Sequence, residues 1–152
     1  MKQVKKSVLL WYSPGEMYDL VTQVERYPEF LPWCDKAEVL ERHDGGMTAR
    51  LGLVYAGIKH AFTTQNSHEH QRCVRMALVD GPFSLLDGVW QFQPLGSVDE
   101  AGESKACKVE FDLRYAFSSK ALEAVVSPVF DRVANTFVES IVQRAESVYG
   151  SR

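Results

Sequence analysis

The most constraining feature of this sequence is a run of six segments in which apolar and polar residues alternate with a period of two. Such alternation is typical of strands that bury one face. Short turn-forming sequences, such as Asp80-Gly81-Pro82 and the polar stretch from Gly96 to Ser104, separate the segments. Because strands joined by short turns pair with their neighbours, the sequence predicts an antiparallel meander. The predicted strands lie near residues 36–42, 47–56, 58–67, 72–80, 84–94 and 105–117.

A long amphipathic helix is predicted after the last strand. From Leu122 to Tyr149, apolar residues recur at i, i+3 and i+4 for about seven turns, which is enough to cover one face of a sheet. Ser127-Pro128 interrupts this pattern and has the form of an N-cap followed by a first helical residue. We therefore expect either a kink at Pro128 or a short leading helix before a main helix of about 20 residues.

The residues before the meander predict one strand and two short helices. Residues 2–12 alternate as a strand, and residues 13–16 (Ser-Pro-Gly-Glu) provide an N-cap, a proline at the first helical position and a capping box. The helical pattern ends at Tyr27-Pro28, because proline disfavours the helical conformation in the residue before it. A short helical turn over residues 29–31, closed by Pro32, is expected next.

The predicted element order gives an α+β fold. A strand, a helix, a helical turn, six strands and a long helix follow one another along the chain. A twisted sheet and a straight helix fit closely only along part of their length, so a space is expected between them. We consider that space the candidate functional site.

Length and charge narrow the classes of function. At 152 residues the chain fits one domain spanning residues 1–152. With 17 basic and 20 acidic residues, its net charge of −3 gives no global field that attracts nucleic acid. Three cysteines without paired spacing, a short apolar run near the amino end and the lack of a long apolar stretch predict a cytoplasmic protein without disulfides.

The segment Tyr27 to Cys34, with the sequence YPEFLPWC, carries a resemblance to a known family. With the later Gly81-Pro82-Phe83 and Leu86 to Phe92 regions, it resembles the RatA-like ribosome association toxins. It is also similar to the related coenzyme Q-binding proteins of the polyketide cyclase/dehydrase group, within the START or birch-allergen-like superfamily. The similarity covers essentially the whole chain.

The resemblance implies a helix-grip fold and one of two functions. In that fold, a seven-stranded antiparallel sheet wraps around the carboxyl-terminal helix and a hydrophobic cavity. One implied function is to bind the large ribosomal subunit and block subunit association, which inhibits translation. The other is to bind ubiquinone or another polyprenyl lipid in support of respiration, with the cavity mouth at a membrane surface. We rank the ribosomal function first and leave the oligomeric state open.

Signatures of catalysis are few. The sequence has no nucleophile elbow, phosphate-binding loop or zinc-binding His pair on a helix. We interpret His68-Glu69-His70 as a solvated turn rather than a metal site, His60 as a core histidine and Cys34 as a structural thiol. Glu110 and Asp112 fit a solvated strand face. We therefore expect a binding protein without a required cofactor, and rank a cavity enzyme of the cyclase type third.

The predicted ligand cavity is apolar and aromatic. Its expected lining residues are Phe30, Trp33, Tyr55, Phe62, Trp90, Phe92, Leu113, Phe130, Val133 and Phe137. Two prolines in the YPEFLPWC segment restrict its backbone, so Phe30 and Trp33 can be held inward at little entropic cost. The segment then acts either as a gate over the cavity mouth or as a rigid plug that closes the core. The cavity volume separates a ligand site from a packed core.

Overall fold

A computed structural model describes residues 1–100 and 102–152. Seven antiparallel strands form one sheet in the order β1-β7-β6-β5-β4-β3-β2, with the amino-terminal strand at one edge and β2 at the other. This confirms the predicted meander and its seventh strand. The strands are β1 Lys2–Leu10, β2 Cys34–His43, β3 Gly46–Tyr55, β4 Ile58–Glu69, β5 Cys73–Asp80, β6 Phe83–Val98 and β7 Ser104–Phe117, and the helices are α1 Pro14–Thr22, a 3₁₀ helix Val24–Glu29 and α2 Lys120–Tyr149.

Helix α1 begins with the predicted capping box. The Ser13 hydroxyl oxygen accepts a hydrogen bond from the backbone N–H of Glu16 at 3.0 Å, and the Glu16 carboxylate accepts one from the backbone N–H of Ser13 at 2.9 Å. Two backbone donors that the first helical turn leaves free are therefore satisfied.

Removing this cap is expected to destabilise the protein moderately. We expect Ser13→Ala to lower the free energy of unfolding by about 1 kcal/mol, because one backbone donor loses its partner. Urea denaturation of the variant and of the wild-type protein measures this difference. Ser147→Ala is the matched control, since Ser147 is an exposed residue within α2. Equal losses in the two variants would contradict the capping role of Ser13.

The 3₁₀ helix lies earlier in the chain than predicted. It spans Val24–Glu29 and contains Pro28, whereas the sequence predicted a turn over residues 29–31. A 3₁₀ helix tolerates this proline because it is short and has few internal hydrogen bonds to lose. The buried Tyr27 hydroxyl donates a hydrogen bond to the Val21 carbonyl, which ties the segment back to α1.

Helix α2 is one continuous element of 30 residues, about 45 Å long. The predicted division into two helices is wrong, because the N-cap is Ser119, whose hydroxyl oxygen accepts from the Leu122 N–H at 3.1 Å. Ser127 instead accepts a hydrogen bond from the Lys2 ammonium at 2.7 Å and donates one to Asp131 at 3.0 Å. The kink at Pro128 stays a prediction.

The last hairpin and the three cysteines complete the description of the fold. Strand β6 extends to Val98, so the β6–β7 turn falls within residues 99–103 and is shorter than the predicted stretch from Gly96 to Ser104, and residue 101 lies outside the described residues. Cys34, Cys73 and Cys107 are buried free thiols. In the described part of the chain, no helix is both long and apolar enough to span a membrane.

Candidate ligand cavity

A cavity of about 40 Å³ lies between the concave face of the sheet and α2. Strands β3 to β7 provide one wall, α2 the other, and the YPEFLPWC segment contributes two side chains. The lining residues are Val24, Tyr27, Trp33, Ala49, Leu51, Phe62, Thr64, Asn66, Met76, Leu86, Phe111, Leu113, Phe130, Val133 and Phe137.

The cavity is much smaller than an ordinary ligand pocket. About 10–15 Å³ of cavity volume accommodates one water molecule, so 40 Å³ corresponds to a few waters. Pockets for drug-sized ligands run to about 300–1,000 Å³. In this closed form the interior is therefore a nearly packed core, and a ligand of the size of a quinone enters only if the walls move apart.

The lining is mainly apolar, but Trp33, Thr64 and Asn66 carry polar groups. Thr64 and Asn66 are buried neighbours on β4, and the Thr64 hydroxyl donates a hydrogen bond to the Asn66 side-chain oxygen at 2.8 Å. The indole nitrogen of Trp33 is buried and has no hydrogen-bond partner. A buried N–H without a partner costs free energy, so it favours an incoming acceptor oxygen. Trp33, Thr64 and Asn66 are the polar lining residues.

An aromatic cluster closes the cavity at the end near the β3–β4 and β5–β6 turns. Phe83 packs against Phe130, with ring centroids 4.7 Å apart, and against Phe62 at 5.8 Å. Phe117 stacks on Phe83 at 5.3 Å. Because Phe62 and Phe130 also line the cavity, movement of this cluster would enlarge it.

The structure brings six of the ten predicted residues to the cavity wall. Trp90 and Phe92 are fully buried but do not reach the wall. Phe30 and Tyr55 lie outside it, which differs from the prediction. The Tyr55 side chain is at the end of β3 and is 41% exposed. The Arg132 guanidinium lies 5.6 Å from its ring centre. The six residues at the wall are Trp33, Phe62, Leu113, Phe130, Val133 and Phe137.

The YPEFLPWC segment contributes Tyr27 and Trp33 to the wall rather than Phe30 and Trp33. Tyr27, Leu31 and Trp33 are each at most 5% exposed, whereas Phe30 is half-buried with the Arg144 guanidinium 5.0 Å from its ring centre. The tight backbone path is thus used to bury aromatic side chains. Whether the segment opens as a gate stays a prediction.

The polar residues considered for catalysis are separated from the cavity. His68 and His70 lie against Tyr18 near α1, at ring-centre distances of 6.0 and 5.4 Å, so they are not a fully solvated turn. Burial lowers the pKa of His68. Among the described residues, no cluster of three or more His, Cys, Asp or Glu side chains is placed to hold a metal ion.

The remaining candidates have structural surroundings. Burial raises the pKa of the Cys34 thiol to about 11, which disfavours the reactive thiolate. Glu110 is half-buried and pairs with Lys108 at 3.1 Å on β7. Asp112 accepts a hydrogen bond from Gln3 at 3.0 Å, and His60 is half-buried in β4.

Comparison with known proteins places the chain in a family. Residues 10–142 match the family model described as "Polyketide cyclase / dehydrase and lipid transport". The chain belongs to this family. Within the polyketide cyclase/dehydrase family, it is 43% identical to the ribosome association toxin RatA of Vibrio cholerae over 99% of both chains, and 40% identical to RatA of Pseudomonas aeruginosa over 97% of both.

A more distant relative and two solved structures extend the comparison. The mitochondrial coenzyme Q-binding protein COQ10 homolog B of Xenopus laevis is 28% identical over 97% of this chain and 59% of that protein. A START superfamily protein from Mycobacterium smegmatis has a TM-score of 0.77 at 19% identity, covering 96% of this chain and 98% of its own. The Zhui aromatase/cyclase from Streptomyces has a TM-score of 0.78 at 15% identity over 99% of both chains. These two structures confirm the helix-grip fold.

Proposed function

We propose that this protein is a non-enzymatic ribosome association factor that binds the large ribosomal subunit and blocks its joining to the small subunit. The supporting observation is identity of 40–43% over nearly the whole length with proteins named as ribosome association toxins. The relative named as coenzyme Q-binding is more distant, at 28%. In this proposal the protein acts in the cytoplasm, inhibits translation and uses its fold as a rigid binding body.

Sedimentation tests the proposal. The purified protein is mixed with separated large or small ribosomal subunits and centrifuged through sucrose gradients at low and moderate salt. We expect it to travel with large subunits and to prevent formation of joined ribosomes when small subunits are added. Migration at the top of every gradient, or joined ribosomes at the level of the protein-free control, would contradict the proposal.

A second candidate function is binding of an apolar ligand that carries an acceptor oxygen. The Trp33 indole N–H favours it, because this buried donor has no hydrogen-bond partner and its side chain lines a mainly apolar cavity. A quinone carbonyl is an acceptor of this kind, and the isoprenoid tail would need the aromatic cluster of Phe62, Phe83 and Phe130 to move. The two functions are compatible, since the ribosomal contact is on the surface.

The indole N–H of Trp33 provides the test of ligand binding. We expect the wild-type protein to take up a short-chain ubiquinone, detected by quenching of tryptophan fluorescence, and Trp33→Phe to bind it about tenfold more weakly because the donor is lost. Tyr55→Phe is the matched control, since it alters a ring outside the cavity. Unchanged quinone affinity in Trp33→Phe would show that the Trp33 indole does not bind the ligand, and no uptake by the wild-type protein would overturn the ligand function.

A further inference from the structure

An apolar surface stands exposed at the end of the sheet where β1 finishes. Leu9 and Trp11 are each 69% exposed and Val98 is 63% exposed. With the half-buried Leu95, they line one open depression of about 700 Å³ between the end of β1 and the β6–β7 hairpin. We call these four residues the hairpin patch. Large apolar side chains grouped in this way mark an interaction surface, and tryptophan is enriched among the residues that dominate binding energy.

Acidic residues border the hairpin patch. Asp99, Glu100 and Glu103 are exposed in the β6–β7 hairpin, and the Asp99 carboxylate accepts the Glu103 backbone N–H at 2.9 Å. Lys105 also lines the depression, but its one positive charge is outnumbered by the three carboxylates, so the local charge is negative. A negative border repels phosphate groups and attracts basic side chains.

The strand beside the patch has an open backbone edge. Strand β1 pairs with β7 only as far as Leu10, which lies opposite Cys107. Ser104 and Ala106 of β7 pair with Val98 and Leu95 of β6, and no described strand pairs with them on the other side. An open strand edge can accept backbone hydrogen bonds from an extended protein segment, which a nucleic acid cannot supply in the same ladder geometry.

We propose that the hairpin patch docks a basic protein segment with an apolar anchor, carried by a protein of the large ribosomal subunit. The inference rests on the proposed ribosomal function and specifies its contact surface. The apolar centre, the acidic border and the open strand edge all favour protein over RNA. Two copies of this chain joined by a two-fold axis through the patch would bring the acidic borders together, which disfavours self-association.

A crosslinking experiment identifies the occupant. Trp11→p-benzoylphenylalanine is introduced into the full-length protein, which is then irradiated with purified large ribosomal subunits. We expect the crosslink to a ribosomal protein. A crosslink only to ribosomal RNA, only to a second copy of this chain, or no crosslink despite co-sedimentation would overturn the inference. The same probe at Tyr55, near the opposite end of the sheet, is the control, and we expect no ribosomal crosslink there.

Affinity measurements separate the patch from the function itself. We expect Trp11→Ala, and separately the pair Glu100→Lys and Glu103→Lys, to reduce co-sedimentation with large subunits about tenfold or more, while Tyr55→Ala leaves it unchanged. The fold should persist, because these side chains are exposed. If the wild-type protein binds large subunits and both patch variants bind them equally well, only the docking surface is overturned. Lack of binding by the wild-type protein would overturn the ribosomal function and the docking surface together.

Discussion

Replacing Phe137 with alanine is expected to lower the free energy of unfolding by about 3–5 kcal/mol. The Phe137 ring is 6% exposed and sits on α2 where the helix meets both the sheet and the YPEFLPWC segment. Its centre lies 5.4 Å from Trp90, 5.6 Å from Tyr27 and 5.7 Å from Trp33. The substitution therefore removes edge-to-face contacts between three parts of the structure and enlarges a cavity that the protein keeps small.

Urea denaturation measures the effect, with Tyr55→Ala as the control. Tyr55 is also an aromatic residue, but it is 41% exposed, so we expect its loss to cost less than about 1 kcal/mol. If Phe137→Ala lowered the free energy of unfolding no more than Tyr55→Ala does, α2 would not pack on the sheet as described. A small aromatic compound such as benzene should raise the melting temperature of Phe137→Ala and leave that of Tyr55→Ala unchanged, because only the first variant gains an apolar cavity.

The sheet could be predicted closely because two simple rules act together in it. Alternation identifies which residues face the core, and short turns force consecutive strands to pair. Residues 105–117 show this best, since the observed β7 spans Ser104–Phe117 with Phe111 and Leu113 buried. The capping box at Ser13 was equally readable, because it depends on residues only three positions apart.

The cavity was harder to predict because it depends on how elements are placed in space. Alternation puts Tyr55 on the inward face of β3, yet it cannot show that the sheet end beside the Ala56-Gly57 turn is left uncovered. It also cannot give the volume that remains after the side chains pack. Thr64 and Asn66, by contrast, had a readable signal that the sequence analysis missed: both are polar residues on the same β4 face as the buried Phe62.

A polar network ties α2 to strands β1 and β7. The Asp131 carboxylate accepts hydrogen bonds from the Tyr115 hydroxyl at 2.6 Å and from the Lys2 ammonium at 2.7 Å. We expect Asp131→Ala to lower the free energy of unfolding by about 2 kcal/mol. Most of this comes from the buried Tyr115 hydroxyl, which loses its acceptor. The ion pair with Lys2 adds little, because both side chains are more than a third exposed.

A double-mutant cycle separates these contributions. Tyr115→Phe removes the donor and keeps the ring, so Asp131→Ala made in that background no longer leaves a buried hydroxyl without a partner. We expect the cost of Asp131→Ala to fall below about 1 kcal/mol there, as measured by urea denaturation at neutral pH. An equal cost in both backgrounds would show that the Tyr115 to Asp131 hydrogen bond contributes nothing to stability.

The same network predicts a dependence on acid. Burial acts to raise the pKa of Asp131, but the hydrogen bonds from Lys2, Tyr115 and Ser127 outweigh it, so the folded pKa lies below the usual value of 3.8. A carboxylate with a lowered folded pKa contributes stability that is fully present above its unfolded pKa and is lost as the pH falls through the folded pKa. The stability difference between wild-type protein and Asp131→Ala should therefore be constant above about pH 5 and shrink below about pH 4. A difference that stays constant down to pH 2 would mean that the charged form of Asp131 is not what the network stabilises.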